Sequence, residues 1–187
     1  MSRIIAGQAG GRSIKIPKQV TRPTSDRARE GLFSSLEARF GLAGEVVLDL
    51  YAGSGALGLE AASRGAAEVT LVEALDGAVS TIKRNIATVE HPKTHVVHAK
   101  AKTFLATAPK RHYTMVLADP PYELADDAVA DMLAALIPAL AQDAVVVIER
   151  NNKSPETAWP EGFEPTGQKV KKRTFGIARF DMAIWRG

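Results

Sequence analysis

Short apolar runs alternate with amphipathic segments through the middle of this chain, and this alternation constrains the fold more than any other feature. The apolar runs, which read as buried strands, lie at 46–50, 69–73, 94–98, 113–119 and 143–150. The segments between them have the apolar spacing of helices and lie at 56–65, 75–89, 101–108 and 126–140. Buried strands joined by helical crossovers are typical of a parallel sheet with helices on both faces. The sequence therefore predicts an α/β fold.

Both ends of the chain are expected to add elements to this sheet. Residues 1–20 read as two short strands around a glycine turn, and residues 25–39 as an amphipathic helix. The tail suggests two further strands, near 164–175 and 177–185. We therefore expect an N-terminal hairpin and helix extension over 1–42, followed by the main domain over 43–187.

The composition excludes several kinds of site. The sequence contains no cysteine, which excludes disulfides, thiolate zinc sites and iron–sulfur clusters. Its four histidines do not form a helical His-x-x-x-His pair with a nearby glutamate, so no metal is expected. The N-terminus is too polar for a secretory signal, and no apolar run approaches the roughly 20 residues of a membrane span. We expect a cytoplasmic protein with no membrane partner.

Basic residues cluster near both ends of a chain whose formal net charge is only +3. Localised basic patches on a near-neutral protein favour a polyanion such as nucleic acid, although they can also be solvated or ion-paired faces. Arg27, for example, could pair with Glu30 within its helix. The candidate nucleic-acid-binding residues are Arg3, Arg12, Arg22, Arg27, Arg29, Lys171, Lys172 and Arg173.

A glycine-rich turn follows the first apolar run, in the stretch LDLYAGSGALGLE. It satisfies G-x-G-x-x-G between a strand and a helix, where glycine lets the backbone approach a ligand closely. The motif alone fits NAD, FAD and S-adenosylmethionine, and it also fits a tight turn with nothing bound. Asp49 favours S-adenosylmethionine, because a carboxylate suits its ammonium and sulfonium groups and repels a pyrophosphate. Glu73, at the end of the second strand, can accept hydrogen bonds from the ribose hydroxyls of either kind of cofactor.

The fourth strand ends in Asp-Pro-Pro-Tyr, here called the proline corner (residues 119–122). The prolines hold their neighbours stiffly, so the Asp119 carboxylate and the Pro120 carbonyl can accept both N–H groups of an exocyclic amine. The nitrogen lone pair of that amine would then face the methyl carbon of the methyl donor. Tyr122 offers a flat face on which a flipped-out base can stack. The alternative is a structural turn that only ends the strand. The candidate catalytic residues are Asp119, Pro120, Pro121 and Tyr122.

Taken in order, these motifs resemble the bacterial RsmD family. The resemblance is carried by RIIAGQAGGR (3–12), RPTSDRAREGLF (22–33), LDLYAGSGALGLEAASRGA (48–66), VTLVE (69–73), RNI (84–86) and LADPPY (117–122). That family consists of class I S-adenosylmethionine-dependent methyltransferases that act on the N2 amine of a guanine in small-subunit ribosomal RNA. The resemblance implies a Rossmann-like, mostly parallel seven-stranded sheet with its last strand antiparallel, and an N-terminal hairpin extension that faces RNA.

The resemblance also implies roles for the candidate residues. Gly53 and Gly55 would line the methionine part of S-adenosylmethionine, which becomes S-adenosylhomocysteine, and Glu73 would hold the ribose. Many related enzymes carry an Asp after the third core strand to bind adenine. This chain has Lys100, Ala101 and Lys102 there, which leaves the backbone of Ala101 for that contact. The full expected cofactor site is Asp49, Ala52, Gly53, Ser54, Gly55, Glu73 and Ala101.

Other functions stay open at this point. An adenine-N6 methyltransferase acting on DNA or RNA could use the same proline corner, although the chain has little room for a separate target-recognition region. A nicotinamide-dependent oxidoreductase would bind NAD(P) instead of S-adenosylmethionine. A non-catalytic RNA-binding assembly factor could keep the fold, but the complete proline corner argues against it. The leading expectation is a monomeric guanine-N2 methyltransferase that acts on ribosomal RNA or on its assembly particle.

Overall fold

Strands and helices alternate along the chain in the computed structural model, which describes residues 1–20, 22–166 and 174–187. The strands are β1 Ser2–Arg3, β2 Ser13–Ile14, β3 Val46–Leu50, β4 Glu68–Glu73, β5 Thr94–His98, β6 Tyr113–Ala118, β7 Leu140–Asn151, β8 Phe163–Pro165, β9 Thr174–Phe175 and β10 Ala178–Trp185. The helices are α1 Asp26–Arg39, α2 Ala56–Ser63, α3 Asp76–Val89, α4 Ala101–Thr107 and α5 Asp126–Leu136, with a 3₁₀ turn at Ile137–Ala139. Among the described residues, no helix is both long enough and apolar enough to cross a membrane.

One large sheet organises these elements. Its strand order is β5-β4-β3-β6-β7-β10-β8, and the short β9 pairs with β10 beside this path. Strands β3 to β7 are parallel to their neighbours, whereas β10 is antiparallel to β7, β8 and β9. This arrangement confirms the predicted mostly parallel sheet with its last strand antiparallel. The first two strands form a separate antiparallel hairpin.

Apolar side chains from alternate strand positions fill two cores, one on each face of the sheet. On one face, Val47 belongs to a cluster with residues of α1, α2 and α3, including Phe33, Leu59 and Ile82. On the other face, Leu48 belongs to a cluster with residues of α4 and α5. Since consecutive strand residues point to opposite faces, one unbroken apolar run supplies both cores.

The turn after α5 differs slightly from the sequence expectation. The helix expected over 126–140 ends at Leu136, and a 3₁₀ turn containing Pro138 follows it. Strand β7 then begins at Leu140, ahead of the expected start at 143. Proline has no N–H with which to continue the helical ladder, so the tighter turn is the expected way for the chain to leave the helix.

The sheet reverses its winding direction between β3 and β6, because the chain proceeds from β3 to β4 and β5 on one side and later to β6 and β7 on the other. In such sheets, ligands bind outside the carboxyl ends of the strands at this reversal point. Leu50 pairs with Ala118, and Ala118 pairs with Ile148, so β3 and β6 end beside Ile148 of β7, which continues to Asn151. An acidic residue lies near this point on each strand: Asp49 in β3, Asp119 directly after β6 and Glu149 in β7.

Candidate active site

The glycine turn between β3 and α2 has the backbone geometry that its sequence predicts. Gly53 and Gly55 have positive φ values of 59° and 82°, and the non-glycine Tyr51 also has a positive φ of 59°. The Gly55 N–H donates to the Ala52 carbonyl at 2.7 Å, which closes the turn. The left-handed conformation suits glycine but is unfavourable for tyrosine. Tyr51 therefore marks a strained position at the start of the turn.

Asp49 is buried beneath this turn, with 1% of its surface exposed. Its Oδ2 accepts a hydrogen bond from the Gly58 N–H at 2.8 Å, while Oδ1 is buried with no hydrogen-bond partner among the described residues. Burial raises the pKa of Asp49 to about 7, the nearby Glu73 raises it further, and the Gly58 hydrogen bond opposes both. The side chain lines a small cavity of about 30 Å³, together with Thr24, Ser54 and Asp119. A cationic group bound in this cavity would stabilise the ionised form of Asp49, whose Oδ1 has no hydrogen-bond partner among the described residues.

Glu73 is held rigidly at the end of β4 by backbone donors. Its Oε2 accepts from the Gly53 N–H at 2.8 Å, and its Oε1 accepts from the N–H groups of Ala74 and Leu75 at 2.8 and 2.9 Å. The side chain lines a cavity of about 240 Å³, together with Tyr51, Val72, Ala101 and Lys102. Tyr51 lines this cavity and the small Asp49 cavity alike. The structure thus brings together the predicted cofactor residues from β3, β4 and α4.

Asn85 is a positioning residue that the sequence reasoning missed. It is buried in α3, and its Nδ2 donates to the carbonyls of Ser54 and Lys15, both at 2.8 Å. Its Oδ1 accepts from the Lys15 N–H at 2.9 Å. Asn85 therefore ties the glycine turn to the strand pair at the N-terminus. It lies within the RNI stretch that resembles the RsmD family, and this was the only signal for it in the sequence.

The proline corner lies beside β3. The Asp119 N–H donates to the Leu50 carbonyl at 3.2 Å, and the Leu124 N–H donates to the Pro121 carbonyl at 2.9 Å. Burial raises the pKa of the Asp119 carboxyl well above its usual value, and the neighbouring Glu149 and Asp49 charges add to this effect. The corner is therefore fixed by backbone hydrogen bonds, and its acid carries a perturbed pKa of the kind that functional sites often show.

Glu149 is the second site residue that sequence reasoning missed. It lies in β7 with 5% of its surface exposed, and burial raises its pKa. Its Oε1 accepts from the Tyr122 hydroxyl at 2.9 Å, and its Oε2 accepts from the Thr24 hydroxyl at 2.8 Å. The available signal was an acidic residue at the end of the fifth apolar run, the same pattern that pointed to Glu73. Glu149 thus joins the proline corner to the segment before α1.

An open cleft of about 490 Å³ adjoins the corner. The residues that line it include Arg22, Thr24, Arg27, Tyr122, Glu149 and Ile177. The Arg22 guanidinium carbon lies 4.3 Å from the centroid of the Tyr122 ring, so one face of the ring that was predicted to stack a base contacts an arginine. Burial is the first cause of the raised pKa of the Tyr122 hydroxyl, followed by Glu149. We call this space the arginine cleft.

The candidate nucleic-acid-binding residues that the structure describes do not all line the arginine cleft. Arg22 and Arg27 line the arginine cleft, whereas Arg3, Arg12 and Arg29 do not. Arg12 instead donates to the carbonyl of Thr88, near the end of α3. Helix α3 begins beside the carboxyl end of β4 and runs back along the sheet for about 20 Å. The contact of Arg12 with its last turn therefore lies towards the amino ends of the strands, away from the site. Three further candidates lie outside the described residues: Lys171, Lys172 and Arg173.

The prediction that Arg29 binds nucleic acid is wrong, because its side chain is buried. Its exposed fraction is 0%, and its Nη2 donates to the Ser2 hydroxyl, the Arg3 carbonyl and the Asp26 carboxylate. Burial lowers its pKa, against the attraction of Asp26. Arg29 holds the N-terminal hairpin against α1, and it has no surface with which to contact a phosphate.

Comparisons with known proteins give this chain close relatives. A family model described as "Conserved hypothetical protein 95" matches residues 2–184. The chain is 45% identical to Ribosomal RNA small subunit methyltransferase D of Escherichia coli over 122 residues, which span 64% of this chain and 60% of that protein. It is 35% identical to the putative rRNA methyltransferase YlbH of Bacillus subtilis over 181 residues, 94% of each protein. A solved structure, the putative methyltransferase yhhF from Escherichia coli, aligns with a TM-score of 0.81 and 30% identity, covering 99% of this chain and 98% of that one.

Proposed function

This chain belongs to the RsmD family, and on that premise we propose that it transfers a methyl group from S-adenosylmethionine to the exocyclic N2 amine of a guanine in small-subunit ribosomal RNA. One observation carries the proposal. The proline corner lies between the small Asp49 cavity, which Asp119 also lines, and the arginine cleft, which Tyr122 lines. A donor on one side and a base on the other would meet at the Asp119 carboxylate.

The residues on the cofactor side fit S-adenosylmethionine. The unpartnered Oδ1 of Asp49 suits a cationic group, and the carboxylate of Glu73 faces a separate cavity large enough for a nucleoside. We assign the ribose to Glu73, the adenine to the part of that cavity beside Ala101, and the methionine part to the glycine turn of Ala52, Gly53, Ser54 and Gly55. When bound, S-adenosylmethionine would supply an electrophilic methyl group on its sulfonium.

On the substrate side, Asp119 and the Pro120 carbonyl would accept hydrogen bonds from the target amine and orient its lone pair. The prolines fix these acceptors before the base arrives, so little reorganisation is needed during methyl transfer. The methylated amine becomes acidic and can lose its extra proton to Asp119 or to water. Within residues 1–42, the proposed RNA-facing extension, Arg22 and Arg27 would contribute the contacts at the arginine cleft.

The test is incubation of the protein with methyl-labelled S-adenosylmethionine and small-subunit ribosomal RNA that lacks its methyl groups, both as naked RNA and as assembled particles. Digestion to nucleosides should place the label on N2-methylguanosine. Asp119→Ala should lower the rate at least about 100-fold, the scale of losing one preorganised hydrogen-bonding group. Exposed Glu161→Gln is the control and should match the wild type. Label on a ring nitrogen, a carbon or a ribose would contradict the proposal.

A further inference from the structure

Arg22 occupies a position at the active site that suits a flat group with several hydrogen-bond donors. Its guanidinium stacks over the Tyr122 ring at 4.3 Å. Glu149 lines the same cleft as Arg22 and Tyr122, and the Arg22 charge partly offsets the burial that raises the pKa of both Asp119 and Glu149. A guanidinium is planar and only donates hydrogen bonds. The site therefore combines one aromatic face with two acidic acceptors.

The Watson–Crick edge of guanine has the same chemical pattern. Its N1–H and N2 amine are neighbouring donors in the plane of the ring, as are the N–H groups of a guanidinium. Adenine differs at this edge, because its N1 is an acceptor. A site with two carboxylates beside one aromatic ring would pair with the guanine edge, and it would place an acceptor against the N1 of adenine.

We propose that Glu149 determines base specificity by accepting the N1–H of the target guanine while Asp119 accepts from its N2 amine. The inference rests on the proposed function. Because Ala118 pairs with Ile148, Asp119 and Glu149 follow neighbouring positions on adjacent strands. The Thr24 hydroxyl lies 2.8 Å from Glu149 Oε2 and 3.5 Å from Asp119 Oδ2, between the two acids. Glu149 lines the arginine cleft and Asp119 lines the adjoining Asp49 cavity, and Thr24 lines both.

The hydrogen bonds already made by Glu149 leave it able to accept another. Tyr122 donates to one carboxylate oxygen and Thr24 to the other, and each oxygen has a further lone pair. These hydroxyls hold the carboxylate in one orientation without neutralising it. Arg22 has a half-exposed side chain, so an entering base can take its place over Tyr122 and leave the guanidinium to pair with a phosphate.

The experiment uses 2-aminopurine, which keeps the N2 amine but has an acceptor at N1 and no oxygen at C6, so the change of preference in Glu149→Gln is what assigns N1 recognition to Glu149. Splinted ligation places guanine or 2-aminopurine at the methylated position of the small-subunit ribosomal RNA. The substrate is naked RNA or the assembled particle, according to which of the two the wild type methylates. We expect the wild type to methylate 2-aminopurine about 10- to 150-fold more slowly, the scale of one charged hydrogen bond. In Glu149→Gln, the side-chain amide can donate to N1, so the preference for guanine should fall at least about tenfold.

The outcomes separate this inference from the proposed function. Equal rates on both bases for the wild type, or an unchanged preference in Glu149→Gln, would overturn the role of Glu149 and leave guanine-N2 methylation standing. No N2 methylation of guanine by the wild type would instead overturn the proposed function. Glu161→Gln is the matched control and should keep the wild-type preference. If Glu149→Gln does not fold, equal wild-type rates on the two bases would still overturn the inference.

Discussion

The buried carboxylate of Asp49 should make the stability of the ligand-free protein depend on pH. Its folded pKa of about 7 is above its ordinary value of 3.8, so between these values the folded state holds a proton that the unfolded state has released. The free energy of unfolding therefore falls as pH rises through this window, by about 4 kcal/mol if the full shift is expressed. Asp49→Asn should be more stable than the wild type above pH 7 and should show a flatter pH profile in urea unfolding.

Exposed Asp131→Asn is the control for this measurement, and its profile should follow that of the wild type. The same Asp49→Asn variant should bind S-adenosylhomocysteine more weakly in calorimetry, because an amide does not attract the ammonium group. A variant with unchanged stability across pH would mean that Asp49 is not neutral in the folded protein.

Asp119 should impose a pH dependence on methyl transfer. Only the ionised carboxylate can accept hydrogen bonds with both oxygens, and burial together with Glu149 holds its pKa above the usual range. The single-turnover rate should therefore rise with pH through this raised pKa. Glu149→Gln removes a neighbouring charge, so the inflection should move to lower pH. An inflection that stays in place in this variant would show that another group controls the rate.

At the scale of elements, α2 packs against β3 and β4 so closely that Gly58 cannot carry a side chain. A Cβ there would lie 2.7 Å from Leu71 Cδ2 and 3.0 Å from Asp49 Oδ2. Intrinsic helix propensity alone predicts that Gly58→Ala stabilises the protein by about 1 kcal/mol. The contact predicts the opposite, a loss of about 1–3 kcal/mol from overpacking. Thermal and urea unfolding distinguish the two, and a stabilised variant would show that the helix can shift.

The strands and helices of the sheet could be predicted from the sequence, whereas part of the site could not. Alternating apolar runs identified β3 to β7 and their crossover helices, since burial on both faces leaves a local pattern in the sequence. The burial of Arg29 depends on Ser2 and Arg3, which lie far away along the chain and leave no periodic signal. The role of Glu149 likewise arises from Thr24 and Tyr122, which only the folded sheet brings to it.

At the scale of the whole molecule, the N-terminal hairpin is attached to helix α2 by hydrogen bonds and shares the core of the main sheet. The N–H groups of Ile5 and Ala6 donate to the Glu60 carboxylate at 2.9 and 3.1 Å, and Ser63 of α2 binds the Ala6 carbonyl. Ile4 is fully buried in the core that also contains Val47. A domain boundary at residue 42 stays a prediction, but these contacts place the hairpin in the same core as the sheet. Under the proposed function, the RNA-facing part of the extension would begin after the hairpin, near Arg22.

The difference between the hairpin and the segment that follows it can be tested with two exposed arginines, one in each part of the N-terminal extension. Arg27 lines the arginine cleft, whereas Arg12 contacts the end of α3 towards the amino ends of the strands. Each phosphate contact contributes about 0.7–0.9 to the slope of log affinity against log salt concentration. Arg27→Gln should therefore reduce the slope for small-subunit ribosomal RNA by about that amount, measured by filter binding over a salt series. Arg12→Gln is the matched control and should keep the wild-type slope, because its side chain faces α3 and not the cleft. Equal reductions in both variants would mean that RNA also covers the N-terminal hairpin. An unchanged slope in Arg27→Gln would show that the arginine cleft is not part of the RNA interface.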